Sequence, residues 1–169
     1  MNKRIPFVLC LSALILASQL SASDGQRKGF ILGGGVGYGA LSLGMDEYGV
    51  NAGALATNFI IGYAPSASWE IYYTNNVSWF SDRGNTERFV VTGLGMTKYL
   101  KRAGGGLYFC GGIGLSVQTL YGGSTGFGAL AGIGYDVARH WRVQGEIMLG
   151  EQVDGPIWSI RATLNVIAF

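Results

Sequence analysis

Cysteine, histidine and charge are scarce in this 169-residue chain, and each scarcity excludes a class of site. The cysteines are Cys10 and Cys110, and His140 is the single histidine. Cys10 lies in a leader-like segment, so Cys110 alone would survive processing, which excludes an internal disulfide and a cysteine-based metal site. Charged residues make up 13% of the chain. The sequence therefore predicts no metal site and no cofactor.

The N-terminal segment has the layout of a secretory signal peptide. Lys3 and Arg4 precede an apolar run over 5–16, and small residues follow up to Ser23. That run is too short for a comfortable membrane-spanning helix, although an uncleaved anchor is the alternative. We predict cleavage after Ser23, which divides the chain into a signal peptide at 1–23 and one domain at 24–169.

Removing the leader also removes the net charge. The formal charge of +2 is that of Lys3 and Arg4, so the mature chain is neutral. A nucleic-acid partner therefore has no electrostatic support.

Glycine is abundant instead, and apolar residues alternate with small or polar ones. All 29 glycines lie at or beyond Gly25 without a strict third-position period, which excludes collagen. A period of two predicts eight strands. They cover 28–42, 53–64, 69–79, 88–99, 107–120, 126–137, 141–150 and 157–168. The strand at 88–99 carries large apolar residues on both faces, so its orientation stays unassigned.

The two faces of these strands fit an inside-out barrel. One face is rich in Val, Ile, Leu and aromatic residues, whereas the other is mostly glycine with Asn, Gln, Ser and Thr. A soluble barrel would turn the large apolar face inward. A lumen of small and polar groups wrapped in a lipid-facing apolar surface explains both faces, and closure satisfies every strand edge. The sequence therefore predicts an all-β fold, an eight-stranded antiparallel up-and-down transmembrane β-barrel.

Charged residues collect at the two predicted ends of the barrel. One end is acidic, with a sum of about −4 by counting Asp46, Glu47, Asp82, Arg83, Glu87, Arg88, Glu151 and Asp154. The other end sums to about +4 over Asp24, Arg27, Lys28, Lys98, Lys101, Arg102, Asp136 and Arg139. A charge on the lipid face would cost about 2–4 kcal/mol for Arg or Lys at mid-bilayer.

Four charged residues remain within strands, all on the predicted lumen face. Strand positions predict two ion pairs, Glu146 with Arg161 and Arg142 with Glu70. Gln118, Gln144, Asn76 and Tyr72 are expected nearby. Two roles stay open: the charges satisfy one another inside a plugged barrel, or they gate a narrow conductance path.

Aromatic residues near strand ends predict two interface girdles. The tryptophans of these girdles are Trp69, Trp79, Trp141 and Trp158, and Tyr99 is placed with them.

The chain resembles the small outer-membrane β-barrel proteins of Gram-negative-type bacteria, the group that includes the transmembrane domain of outer-membrane protein A. The resemblance rests on the glycine-rich alternation at 28–39, 106–116 and 126–136. Members typically end in an aromatic residue that helps the insertion machinery recognise them, and this chain ends in Phe169. Counting places Phe169 on the lumen parity, although that residue usually faces outward in the family. The resemblance implies the outer membrane as location, with lipid, lipopolysaccharide and the insertion machinery as partners.

Function follows less directly from the sequence. We predict a structural or surface-interaction protein and not an enzyme, with no catalytic residues. The alternatives are a small gated channel, a secreted soluble β-barrel that binds an apolar ligand and, last, a lipid A-modifying enzyme. For that enzyme His140 lies in a predicted periplasmic turn, on the wrong side for outer-leaflet chemistry. The oligomeric state stays undetermined.

Overall fold

Eight antiparallel strands account for most of the chain that the structure describes. The computed structural model describes residues 27–43, 50–82, 84–100, 106–119, 123–152 and 155–169. The predicted signal peptide at 1–23 and the charged residues Asp24, Asp46, Glu47, Arg83, Lys101, Arg102 and Asp154 lie outside these ranges. The strands are β1 Gly29–Leu43, β2 Val50–Ser66, β3 Trp69–Asp82, β4 Asn85–Tyr99, β5 Leu107–Gln118, β6 Ser124–Ala138, β7 Trp141–Gln152 and β8 Gly155–Ala168.

The sheet closes on itself in chain order. Each strand pairs with the next one, and β1 pairs with β8 from Leu32↔Ala168 to Leu43↔Ile157. The predicted eight-stranded antiparallel barrel is therefore confirmed. We call the end that holds Gly29 and Phe169 the terminal end, and the opposite end the loop end. Within the described ranges, no helix is long and apolar enough to cross a membrane.

Most strands are longer than the alternation predicted. They contain 12 to 17 residues, whereas a tilted strand crosses a bilayer with about 9–11. At the loop end β3 and β4 pair up to Asp82↔Asn85, and Gly84 has a φ of +84°, the left-handed conformation that tight hairpins favour. Glu87 and Arg88, expected beside a loop, therefore lie within β4. Both residues lie at the loop end of β4, beyond its exposed apolar wall residues Leu94 and Met96.

Side chains alternate between the outer wall and the lumen as the pattern predicted. Val36, Leu94, Ile113 and Leu164 are exposed on the wall. Their strand neighbours on the other parity are glycines, polar residues and a smaller set of apolar residues, all facing inward. Glycine thus lines the interior, where it leaves room for the larger side chains opposite.

The structure settles the orientation of β4. Phe89, Val91 and Tyr99 point into the lumen and are buried, whereas Leu94 and Met96 are exposed on the wall. Register explains the choice, because Gly95 pairs with the lumen residue Tyr72 of β3. Tyr99, predicted in the interface girdle, is therefore a lumen residue, and that expectation was wrong.

Candidate functional site

Arg161 forms the centre of a charged network in the lumen. It projects from β8 and is 2% exposed. Its Nε and Nη2 donate to Glu146 Oε2 at 2.8 and 2.6 Å, and Nη2 also donates to Asn76 Oδ1. Nη1 donates to the carbonyl oxygens of Thr57 at 3.3 Å and Val77 at 3.4 Å. The five N–H groups of the guanidinium thus have five contacts, and the side chain links β8 to β7, β3 and β2.

A second pair joins opposite walls of the barrel. Arg142 on β7 donates from Nη1 to Glu70 Oε2 at 3.1 Å and from Nη2 to Glu70 Oε1 at 3.0 Å. Both side chains are buried, and Tyr99 donates its hydroxyl to Glu70 Oε1 at 2.9 Å. This two-bond geometry is the strongest way in which arginine binds a carboxylate. The structure therefore brings together both pairs that the strand positions predicted.

Two tyrosines and a glutamine connect the pairs. The Arg142 guanidinium lies 5.9 Å from the ring centre of Tyr99 and 5.1 Å from that of Tyr108, within cation–π range. Tyr108 donates its hydroxyl to Gln144 Oε1 at 2.7 Å, and Gln144 Nε2 donates to Glu146. The two ion pairs therefore belong to one network, in which the contact between Arg142 and the Tyr108 ring joins two hydrogen-bonded groups.

The network has members that the sequence analysis placed elsewhere. Asp136, assigned to the basic end, faces the lumen near the end of β6 and is 7% exposed. It forms an ion pair with Arg27, and its Oδ1 lies 3.6 Å from Arg142 Nε. The strand parity of Asp136 already matched the lumen face, because Gly132 and Gly134 precede it at spacings of four and two. Gln118 does not join the network, since it contacts Ser124.

Glycines make the space that these large side chains occupy. A Cβ built on Gly134 would lie 2.2 Å from Tyr108 Cζ. One on Gly132 would lie 2.9 Å from Glu146 Cγ. Since real Cβ atoms do not approach other atoms so closely, the lumen glycines determine which rings and charges fit opposite them.

Apolar residues close the lumen at the loop end, which the sequence analysis missed. The pattern predicted a lumen filled by small and polar groups. The structure instead has a buried apolar cluster, here called the loop-end cluster, of Leu41, Ala54, Phe80, Phe89, Val91, Leu130, Met148 and Ile157. The apolar residues on both faces of the strand at 88–99 were the available indication. A smaller cluster of Ile31, Ile60, Ala64, Tyr72 and Ile167 lies toward the terminal end.

Little space remains beside the charged network in the part of the chain that the structure describes. A void of about 10 Å³ lies beside the network, the size that holds about one water molecule. Asn58 Oδ1 and Asn165 Oδ1 have no hydrogen-bond partner among the described residues, and both side chains line this void. One water would satisfy them. At this height the described side chains therefore pack the lumen.

The predicted interface residues lie near the strand ends. Trp69, Trp141 and Trp158 are exposed on the outer wall, and Lys98 Nζ lies 4.2 Å from the ring centre of Trp69. Trp79 is half-buried, and its Nε1 donates to Thr57 Oγ1 at 2.9 Å.

The C-terminal residue and the lone histidine both lie at the terminal end. Phe169 is half-buried and packs against the terminal-end apolar cluster. His140 lies in the turn between β6 and β7, and its Nδ1 is 2.8 Å from the carbonyl oxygen of Ile167. The residues in the described ranges contain no group of three or more His, Cys, Asp or Glu side chains placed to hold a metal ion.

The barrel is similar in fold to small surface proteins of known structure. No protein-family model matches the chain, and no curated protein sequence matches it. Two crystal structures of Ail, the attachment invasion locus protein of Yersinia pestis, align with 82% of this chain and 98% of theirs at 12% identity. Their TM-scores are 0.59 and, for the complex with the heparin analogue sucrose octasulfate, 0.57. Neisserial surface protein A aligns at a TM-score of 0.53, with 12% identity over 81% of this chain and 96% of its own. At this identity the likeness establishes the fold.

Proposed function

We propose that this chain is an integral β-barrel of the outer membrane of a Gram-negative-type bacterium, with a structural or surface-interaction role. The observation that carries the proposal is the inside-out distribution of its side chains. Large apolar residues are exposed around the outer wall, whereas Glu70, Glu146, Arg142 and Arg161 are buried inside. An apolar outer wall is compatible with contact with lipid chains, whereas the charged interior has to be kept away from them.

The energetics support the same environment. In water, a protein whose outer wall exposes these apolar residues would aggregate strongly. In lipid, each outward charge at mid-bilayer would cost about 2–4 kcal/mol. Among the described residues within strands, the outward-facing charged side chains lie at strand ends: Lys98 beside Trp69 at the terminal end, and Arg88 and Glu151 at the loop end.

The soluble carrier and the channel are weaker candidates. A carrier of apolar ligands needs its large apolar face around an internal cavity, but that face is on the outside here. A channel needs a path along the axis, but the void beside the network holds about one water. We therefore propose a plugged barrel in which the lumen charges stabilise the fold.

An enzymatic role has no support from the described residues. His140 contacts a backbone carbonyl in a turn at the terminal end. When Nδ1–H donates to this carbonyl, Nε2 has no nucleophilic side chain as a partner among the described residues. We propose that the protein is not an enzyme.

The loop end favours a different partner from the one seen with Ail. Sucrose octasulfate is a polyanion, whereas the described charged residues of the loop end are acidic overall, with Asp82, Glu87 and Glu151 against Arg88. Like charges repel across an interface. We therefore propose that a surface partner at this end is basic or neutral and not a sulfated sugar. Weak or absent retention on heparin at physiological salt would support this, and strong retention would contradict it.

A heat-modifiability gel on the outer-membrane fraction tests the main proposal. We expect the protein in that fraction, with a band that moves between unboiled and boiled samples because the closed barrel resists detergent until heated. The mass of the same protein checks the predicted cleavage after Ser23. A soluble periplasmic protein with no band shift would overturn the membrane proposal. Recognition of Phe169 by the insertion machinery and contacts with lipopolysaccharide stay proposals.

A further inference from the structure

A polar patch interrupts the apolar outer wall at the middle of three neighbouring strands. It consists of Thr57 on β2, Tyr73 and Asn75 on β3, and Thr92 on β4, and we call it the mid-wall patch. Asn75 and Thr92 are directly opposite each other in the register of β3 and β4. Tyr73 is exposed and the other three side chains are half-buried. Their outward parity rests on the same alternation that exposes Ile71 and Leu94.

The rest of the wall has no comparable feature at this height. The wall residues at the middle of the other five strands are all apolar: Val36, Ile113, Ala131, Ile147 and Ala162. A polar group that faces hydrocarbon without a hydrogen-bond partner costs free energy, since lipid chains offer it no donor or acceptor. The mid-wall patch therefore needs partners that lipid tails cannot supply.

Part of this need is met within the patch. The hydroxyls of Tyr73 and Thr92 are 2.7 Å apart, and Thr92 Oγ1 donates to the carbonyl oxygen of Thr74 at 3.2 Å. Thr57 accepts from Trp79 at 2.9 Å. Asn75 has much less, because its single bond within the described structure is a long one of 3.4 Å from Nδ2 to Thr92 Oγ1. Its amide oxygen and second N–H have no hydrogen-bond partner among the described residues, and Asn75 lies on the outward parity of β3.

We propose that the mid-wall patch is the interface through which two copies of this barrel associate in the membrane, an inference that rests on the proposed membrane location. The amide of Asn75 carries both a donor and an acceptor, so two copies related by a two-fold axis parallel to the barrel axis would exchange two N–H···O bonds. Such an interface is self-complementary, which is the requirement for a two-fold dimer. Polar side chains are known to join membrane segments in this way.

The expected change in the dimerisation constant is large enough to measure by sedimentation. Hydrogen bonds between membrane segments contribute about 0.6–1 kcal/mol each, so the two exchanged bonds together are equivalent to a factor of about 8–30 in an equilibrium constant. We expect Asn75→Leu to lower the dimerisation constant by about that factor in sedimentation equilibrium in density-matched micelles. Asn75→Gln retains an amide and should keep most of the association. Ile147→Leu, at the middle of β7 on the opposite wall, is the matched control and should change nothing.

Cross-linking in native membranes gives an independent readout. With the buried Cys110 replaced by serine, Val77→Cys places one thiol on the wall beside Asn75, and Ile147→Cys places one on the opposite wall. Oxidation with copper phenanthroline should give a product of twice the monomer mass for Val77→Cys, and adding Asn75→Leu should reduce it.

A monomeric wild type in micelles without a Val77→Cys product would overturn the dimer. Equal cross-linking at Ile147→Cys, or a product of some other mass, would also overturn it. Heat-modifiability of the same samples separates the two proposals. Variants that stay in the membrane and shift on boiling, but do not dimerise, refute the interface alone. Variants that are soluble and do not shift refute the membrane location.

Discussion

Single residues in the lumen are held by many partners, and Arg161 is the extreme case. Its guanidinium contacts one carboxylate, one amide and two backbone carbonyls in three other strands. A buried ion pair gains little over an apolar pair of the same shape, but removing one partner leaves an unpaired buried charge. The ion pair itself therefore adds little stability. Losing Arg161 is destabilising mainly because the buried Glu146 carboxylate is then unpaired.

Arg161→Met should destabilise the barrel by about 3–5 kcal/mol, because it leaves the Glu146 carboxylate buried in the lumen without a positively charged partner. Arg161→Met combined with Glu146→Gln should recover a large part of this loss, since no unpaired charge remains. Guanidinium unfolding in detergent, followed by tryptophan fluorescence, measures both free energies of unfolding. A single variant as stable as the wild type would show that the pair is not structural.

Gly134→Ala should destabilise the barrel, by an amount typical of overpacking, about 1–3 kcal/mol. The added methyl group would lie 2.2 Å from Tyr108 Cζ. Gly145→Ala is the matched control, because the nearest atom to its added Cβ is 4.0 Å away. The same unfolding assay compares the two. Equal stability of both variants would contradict the claim that lumen glycines make room for the tyrosines.

The parity of a residue was a better guide than its chemistry. Glu70, Arg142, Glu146 and Arg161 could be paired from the sequence because a period of two and a closed eight-stranded order determine which strands oppose. Asp136 has the lumen parity as well, but it was assigned to an end because charge near a strand terminus usually meets water. That rule fails here because Arg27 and Arg142 accompany it into the lumen.

At the scale of elements, β4 shows where alternation stops being informative. Both of its faces carry large apolar residues, because the lumen next to Phe89 and Val91 is itself apolar. Periodicity cannot separate an apolar lumen from a lipid-facing wall. The register with β3 decides, since Gly95 opposite Tyr72 leaves space for the ring: a Cβ there would lie 2.6 Å from Tyr72 Cε2. That information is long-range and is not contained in the strand itself.

Leu94→Trp should leave the stability of the barrel nearly unchanged, because Leu94 is 68% exposed on the wall and the larger ring extends into lipid. Val91→Trp should lose about 1–3 kcal/mol, since Val91 is packed in the lumen. Unfolding gives the stabilities, and brominated lipids should quench the added tryptophan of Leu94→Trp. A stable Val91→Trp variant whose added tryptophan is strongly quenched would show that Val91 faces lipid, and would contradict the orientation of β4 described above.

At the scale of the whole molecule, the lumen is closed twice along its axis. The loop-end cluster fills one end with apolar side chains, and the charged network with its tyrosines fills the middle and the terminal side. The closed barrel was predictable because nearly every strand carries the same two-residue period and a bilayer forbids free edges. The apolar closure was not, because residues such as Phe80 and Met148 meet only after the barrel has formed.

Two closures in series make a prediction about conductance that separates a plug from an ion-pair gate. In planar bilayers the wild type should be silent. Arg161→Ala should be silent too, because it opens the middle of the lumen and leaves the loop-end cluster in place. A variant with Phe80, Phe89 and Met148 truncated to alanine should also show no conductance. In that variant the Arg161–Glu146 pair still blocks the axis. Only the combination, with Arg142→Ala added because the Arg142–Glu70 pair also joins opposite walls of the barrel, should give ion steps. Heat-modifiability verifies that each variant is a folded barrel. Steps from Arg161→Ala alone would mean that the pair is the gate and that the apolar cluster does not seal the lumen.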